Sequence, residues 1–138
     1  MSRHSASCQC GNLKLTAKND PDICIVCNCI ACQKRTGSAF ATVAYIPKSV
    51  VSIEGERKSW RRTADSGRDV ESFFCPTCGT TVYWTLDFRP DHFGVLIGAF
   101  DSSHPDPVRV VWASEKRPWV HFPEEMEIFE KGSPTPKA

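Results

Sequence analysis

Eight cysteines fall in three short clusters along 138 residues, and that spacing constrains the chain more than any other feature. Cys8-x-Cys10-Gly11 stands near the start, Cys24, Cys27, Cys29 and Cys32 follow close together, and Cys75-x-x-Cys78-Gly79 lies in the second half. Disulfide-dense domains are usually short secreted chains led by a signal peptide. Here the opening Met-Ser-Arg-His-Ser-Ala has no apolar segment, and no run approaches the ~20 apolar residues that span a bilayer. The expectation is a soluble protein of a reducing, cytoplasmic compartment with no membrane partner, in which closely spaced thiols bind metal instead of pairing.

Two thiolates two or three residues apart can reach one zinc ion at about 2.3 Å each, while the flanking amides donate to their sulfurs. Cys75-x-x-Cys78 has the form of such a knuckle, with Gly79 able to take the positive φ that closes the turn, and Cys8-x-Cys10 is a tighter version. Together Cys8, Cys10, Cys75 and Cys78 predict a closed, structural zinc site that ties the first strand to a later hairpin. The middle cluster admits two readings. Cys27, Cys29 and Cys32 can hold a second ion with one coordination position open, the arrangement of catalytic zinc, or Cys24 can close that site as a fourth ligand. If residues 23–27 are extended, the offset of three places Cys24 and Cys27 on opposite faces, which favours an inert buried thiol at Cys24. Counted by themselves, the cysteines favour two structural ions in an interaction module.

Elsewhere the chain reads as about eight short strands at fairly regular spacing, among them residues 12–17, 23–27, 40–46, 81–86 and 108–113. No window shows a long amphipathic helix. Cys27 to Gly37 is expected as loop or one helical turn, Asp65-Ser66-Gly67 as a turn, and residues 93–100 as a strand because Gly94 and Gly98 disfavour a helix. The fold class is therefore mostly β: a zinc-stabilised β-sheet domain over residues 1–131, with little helix and a flexible tail at 132–138. Lys and Arg total 17 and Asp and Glu 16, so the formal charge of +1 gives no field that argues for nucleic acid.

The motif blocks resemble the glutathione-dependent formaldehyde-activating enzyme family, whose fold is called Mss4-like. Cys8-x-Cys10-Gly11, Cys27-x-Cys29-x-x-Cys32-x-Lys34 with Gly37 and Phe40, Phe74-Cys75-x-x-Cys78-Gly79, Gly98-Ala99-Phe100-Asp101 and Trp119 carry the likeness, over about residues 6–122. The resemblance implies two zinc ions: a structural one on Cys8, Cys10, Cys75 and Cys78, and a labile one on Cys27, Cys29 and Cys32 that meets the glutathione thiol. It also implies a carbon-sulfur lyase activity like that of S-(hydroxymethyl)glutathione synthase, joining glutathione to formaldehyde or a related small electrophile. Asn28 departs from several relatives, which carry histidine there.

Lys34 and Arg35 follow Cys32 directly and are candidates for binding glutathione carboxylates or offsetting thiolate charge, with ordinary surface charge as the competing reading. Arg57, Lys58, Arg61 and Arg62 around Trp60 fit a solvated strand better than a nucleic-acid stripe. His92, His104 and His121 show no spacing that ties them to the cysteines, and His4 is expected to be terminal and mobile. Phe40, Trp84, Phe93, Phe100 and Trp119 are read as core, with Trp119 or Phe40 as the candidates for a pocket wall. The leading expectation is a zinc enzyme acting on a glutathione adduct, with a homo-oligomer among the assemblies open to it. The alternative is a zinc-stabilised binding module without catalysis, which predicts two fully ligated ions and no affinity for glutathione.

Overall fold

The computed structural model describes residues 3–64 and 67–133. The turn expected at Asp65 and Ser66, and the end of the expected tail from residue 134 onward, lie outside them.

Strands form where apolar residues alternate or run continuously, and two sheets result. β1 (His4–Ser7), β2 (Lys14–Ala17) and β5 (Val51–Glu54) make a three-stranded antiparallel sheet in the order β1-β2-β5. The larger sheet contains β3 (Ile23–Cys27), β4 (Ala41–Pro47), β6 (Lys58–Thr63), β7 (Asp69–Phe74), β8 (Thr81–Leu86), β9 (His92–Leu96), β10 (Arg109–Val111) and β11 (Glu127–Ile128). Its order is β11-β10-β3-β4-β9-β8-β7-β6; β10 runs parallel to both its neighbours, and the remaining pairs are antiparallel.

β4 lies at the centre and is buried on both faces, which is why it reads as an almost unbroken apolar run. Ala44 and Ile46 meet Leu13, Leu15, Val82 and Val95 in the core between the sheets. Each fully buried Leu, Ile or Val of this kind contributes roughly 1.5–3 kcal/mol. Val43 and Tyr45 turn to the other face, where Ile25, Trp84 and Val111 complete a second apolar cluster. β6 forms an edge, and its exposed Lys58 and Arg61 blunt that edge against further pairing.

Several segments differ from the sequence expectation for identifiable reasons. β1 is a strand although His-Ser-Ala-Ser lacks apolar alternation; its pairing with β2 supplies the hydrogen bonds that composition does not announce. Its first residue, His4, is not mobile: it is 4% exposed, with Nε2 2.6 Å from Asp20 Oδ1 and Nδ1 2.8 Å from the Ser103 carbonyl. Residues 30–36, expected as loop or one turn, form helix α1 (Ile30–Thr36), which ends where the Gly37 N–H bonds to the Gln33 carbonyl. The strand expected over 93–100 is β9 followed by a 3-10 turn at Ile97–Ala99.

Candidate functional site

Two groups of thiols assemble. Cys8 and Cys10 come from the β1–β2 turn, Cys75 and Cys78 from the β7–β8 turn, and the four sulfurs lie within 4.8 Å of one another. The Cys8–Cys10 and Cys10–Cys75 sulfur separations are both 3.7 Å. A tetrahedron with ~2.3 Å metal–sulfur bonds has edges of about 3.8 Å, so these residues fit a zinc-sized ion. Backbone and hydroxyl groups already face the sulfurs: the Leu13 N–H lies 3.2 Å from Cys8, the Thr77 N–H 3.4 Å from Cys75, and the Thr80 hydroxyl 3.2 Å from Cys78. The Thr80 hydroxyl and amide pull the Cys78 thiol down to about 5. Gly79 closes the knuckle at φ 78°, with its N–H 2.8 Å from the Cys75 carbonyl.

The second group is Cys27 at the end of β3, Cys29 at the N-cap of α1, and Cys32 in its first turn. Their sulfurs also lie within 4.8 Å of one another, and no fourth potential ligand joins them among the described residues. Cys24 does not, because it points the other way from β3 into the core between the sheets. Burial, with Asp106 nearby, pushes its thiol up to about 11. Hydrogen bonds from the Cys27 and Cys32 thiols draw Cys29 down to about 2, with Arg62 assisting, while Cys27 is held well above the ordinary thiol range by the same sharing. Without a cation the cluster thus keeps protons on its inner sulfurs; a metal would take their place, so the donor set fits an ion bound with proton release.

A brace of amides fixes this cluster. Asn28 is fully buried, and its side-chain N–H reaches the Val111 carbonyl at 3.0 Å. Gln33 donates to the carbonyls of Asn28 at 2.7 Å and Glu115 at 3.0 Å, and the Ile30 N–H donates to the Glu115 carboxylate at 2.8 Å. Neither Gln33 nor Glu115 stands out in the sequence, since their meeting depends on β10 lying beside β3.

The three cysteines line a cavity of about 600 Å³ on the second apolar face of the large sheet. Arg35 borders it: its Nη2 lies 3.2 Å from Cys32 Sγ and its guanidinium sits 3.9 Å above the Trp84 ring. Lys34 is elsewhere, on a shallow groove beside Trp119, which is 72% exposed. Phe40 lines a separate hollow near Thr80, so neither candidate aromatic lines the cavity of the three cysteines. Trp84 and Tyr45 line the cavity that the cysteines line, together with Arg62, Arg68 and Arg89. His92, His104 and His121 do not line the cavity; His92 instead pairs with Asp22 at 2.7 Å.

The model of the glutathione-dependent formaldehyde-activating enzyme family matches residues 3–115. The chain belongs to that family. A crystal structure of a Rhodobacter sphaeroides protein shares the fold, with a TM-score of 0.57 and 20% identity, over 73% of this chain and 91% of that one. Family membership and the mostly-β architecture agree with the sequence expectation, and both cysteine clusters occupy the matched region. Among the described residues, no helix is long and apolar enough to cross a membrane.

Proposed function

We propose that the protein is a zinc-dependent enzyme of the carbon-sulfur lyase type, which joins the thiol of glutathione to formaldehyde or a related small electrophile in the cytoplasm. The observation that carries this reading is that three thiols, and no fourth ligand among the described residues, meet on the wall of a cavity large enough for an organic ligand. Cys27, Cys29 and Cys32 would hold the labile zinc, and Cys8, Cys10, Cys75 and Cys78 the structural one. A soft, thiolate-bound zinc at the three-cysteine group would supply affinity for a further thiol and lower its pKa.

The remaining work falls to this chain's own side chains. Arg35, against Cys32, offsets the thiolate charge and offers a guanidinium edge to a substrate carboxylate. Tyr45 lines the cavity and burial keeps its phenol protonated, so it is the neutral donor for the oxygen of an attacked carbonyl. The amide brace from Asn28 and Gln33 holds the cysteine loop in place while substrates come and go. Lys34 lies too far round α1 to share the cavity, and its contribution is to the outer groove.

The test is Cys29→Ser, assayed for glutathione-dependent consumption of formaldehyde with zinc counted by native mass spectrometry. The variant is expected to keep one zinc and its fold while activity falls at least a hundredfold. Unchanged turnover would sink the catalytic reading, and two zinc ions indifferent to glutathione in the wild type would favour a binding module.

A further inference from the structure

The cavity beside the three cysteines is much larger than formaldehyde requires. Its volume, about 600 Å³, falls within the roughly 300–1,000 Å³ range of pockets that enclose whole organic ligands. Its lining includes aromatic and branched side chains: Trp84, Tyr45, Trp112, Phe88, Val43 and Val70. Such a lining rewards an apolar body. Trp112, which also lines the cavity, is the one non-glycine residue at positive φ among the described residues, at 56°, a backbone strain that costs on the order of 1 kcal/mol.

Basic side chains outnumber acidic ones on the same cavity. Arg35, Arg62, Arg68 and Arg89 line it, against one acid, Glu115, whose carboxylate is already engaged by the Ile30 N–H. None of the ion pairs among the described residues involves Arg35, Arg62 or Arg89. Arg35 lies over Trp84, and Arg89 lies 4.8 Å from the Tyr45 ring centre. A guanidinium stacked on a ring keeps its N–H edge available to a carboxylate.

We infer that the electrophile of this site is an aromatic aldehyde bearing a carboxylate, its ring held by Trp84, Tyr45 and Trp112 and its carboxylate by Arg89. The inference rests on the thiol-addition reading above. The thiol sulfur forms a bond to the carbonyl carbon, the C=O π pair moves to oxygen, and that oxygen gains the proton the thiol gives up. The product is a hemithioacetal, and nothing is oxidised or reduced.

Binding is measured first, with unreactive probes and without need of turnover: 4-methylbenzoate and its neutral isostere 4-methylbenzamide, followed by quenching of tryptophan fluorescence in the zinc-loaded protein. The carboxylate is expected to bind at least tenfold tighter than the amide. Arg89→Met is expected to erase that preference, and Val70→Trp to weaken both probes by filling the cavity. Equal affinity for the two probes, or a preference that survives Arg89→Met, overturns the inference. In turnover with glutathione, 4-carboxybenzaldehyde is expected to exceed formaldehyde in kcat/KM by tenfold or more. Turnover of formaldehyde alone overturns the inference and leaves the thiol-addition reading standing. Probe binding with no aldehyde consumed, by contrast, sinks the thiol-addition reading and upholds the ligand class of the cavity.

Discussion

At the scale of single residues, the offset of three between Cys24 and Cys27 separates two chemical fates within one strand. Cys27 reaches the cluster on the cavity face, while Cys24 is sealed 2% exposed between the sheets. A thiol pushed up to about 11 from an ordinary value near 9 makes the fold favour its neutral form. Its stabilisation is complete below about pH 9 and disappears as pH rises to about 11, an effect of roughly 2 to 3 kcal/mol. Cys24→Ala is therefore expected to flatten the loss of stability over that alkaline window, read as denaturant midpoints of wild type and variant at several pH values. A variant whose midpoint falls as steeply as the wild type's would refute the assignment. Arg35 shows the converse limit of legibility: its place after Cys32 flagged it, yet its stacking on Trp84 is a contact between positions far apart in the chain.

At the scale of elements, α1 and the β8–β9 pair shape the site. Trp84 lies directly across from Gly94, and a Cβ at Gly94 would meet the indole Nε1 at 2.6 Å and Cε2 at 2.7 Å. Gly94→Ala is expected to displace the indole from the cavity wall and to destabilise the protein by about 1–3 kcal/mol, as overpacking of a filled site does. Thermal melting together with tryptophan emission checks this, and an unshifted emission with an unchanged Tm would show that the close approach is not needed. In the sequence, Gly94 argues only against helix; its role as a seat for an indole depends on strand register. Helix α1 was legible as a short turn because Cys29 to Gly37 holds local capping residues. Its full seven residues rest on Gln33 bridging to Glu115, which lies 82 positions away.

At the scale of the whole molecule, the four-cysteine site joins the β1–β2 turn of the small sheet to the β7–β8 turn of the large one. The three-cysteine group closes no such junction, since its members span only the β3–α1 connection. Graded chelation is expected to remove metal from the three-cysteine group first with the fold intact, and to unfold the protein only as the second ion leaves. Zinc release read beside circular dichroism checks the order. Cys75→Ser is expected to yield an unfolded or aggregating chain, whereas simultaneous loss of both ions and structure in the wild type would contradict the division of labour.

The sequence by itself determined the features that arise within a few residues: knuckles that bring two thiolates to one ion, strands from alternating or continuous apolar runs, and the family to which those spacings belong. Only the tertiary structure decided what depends on distant segments meeting. Cys10 finds Cys75 across 65 positions, and Arg62 and Arg89 come to line one cavity with cysteines they do not neighbour in the chain. The physical reason is that local geometry is set by bond angles and side-chain reach. A cavity, by contrast, exists only once strand order places its walls around the same space, as β10 beside β3 and β4 beside β9 do here.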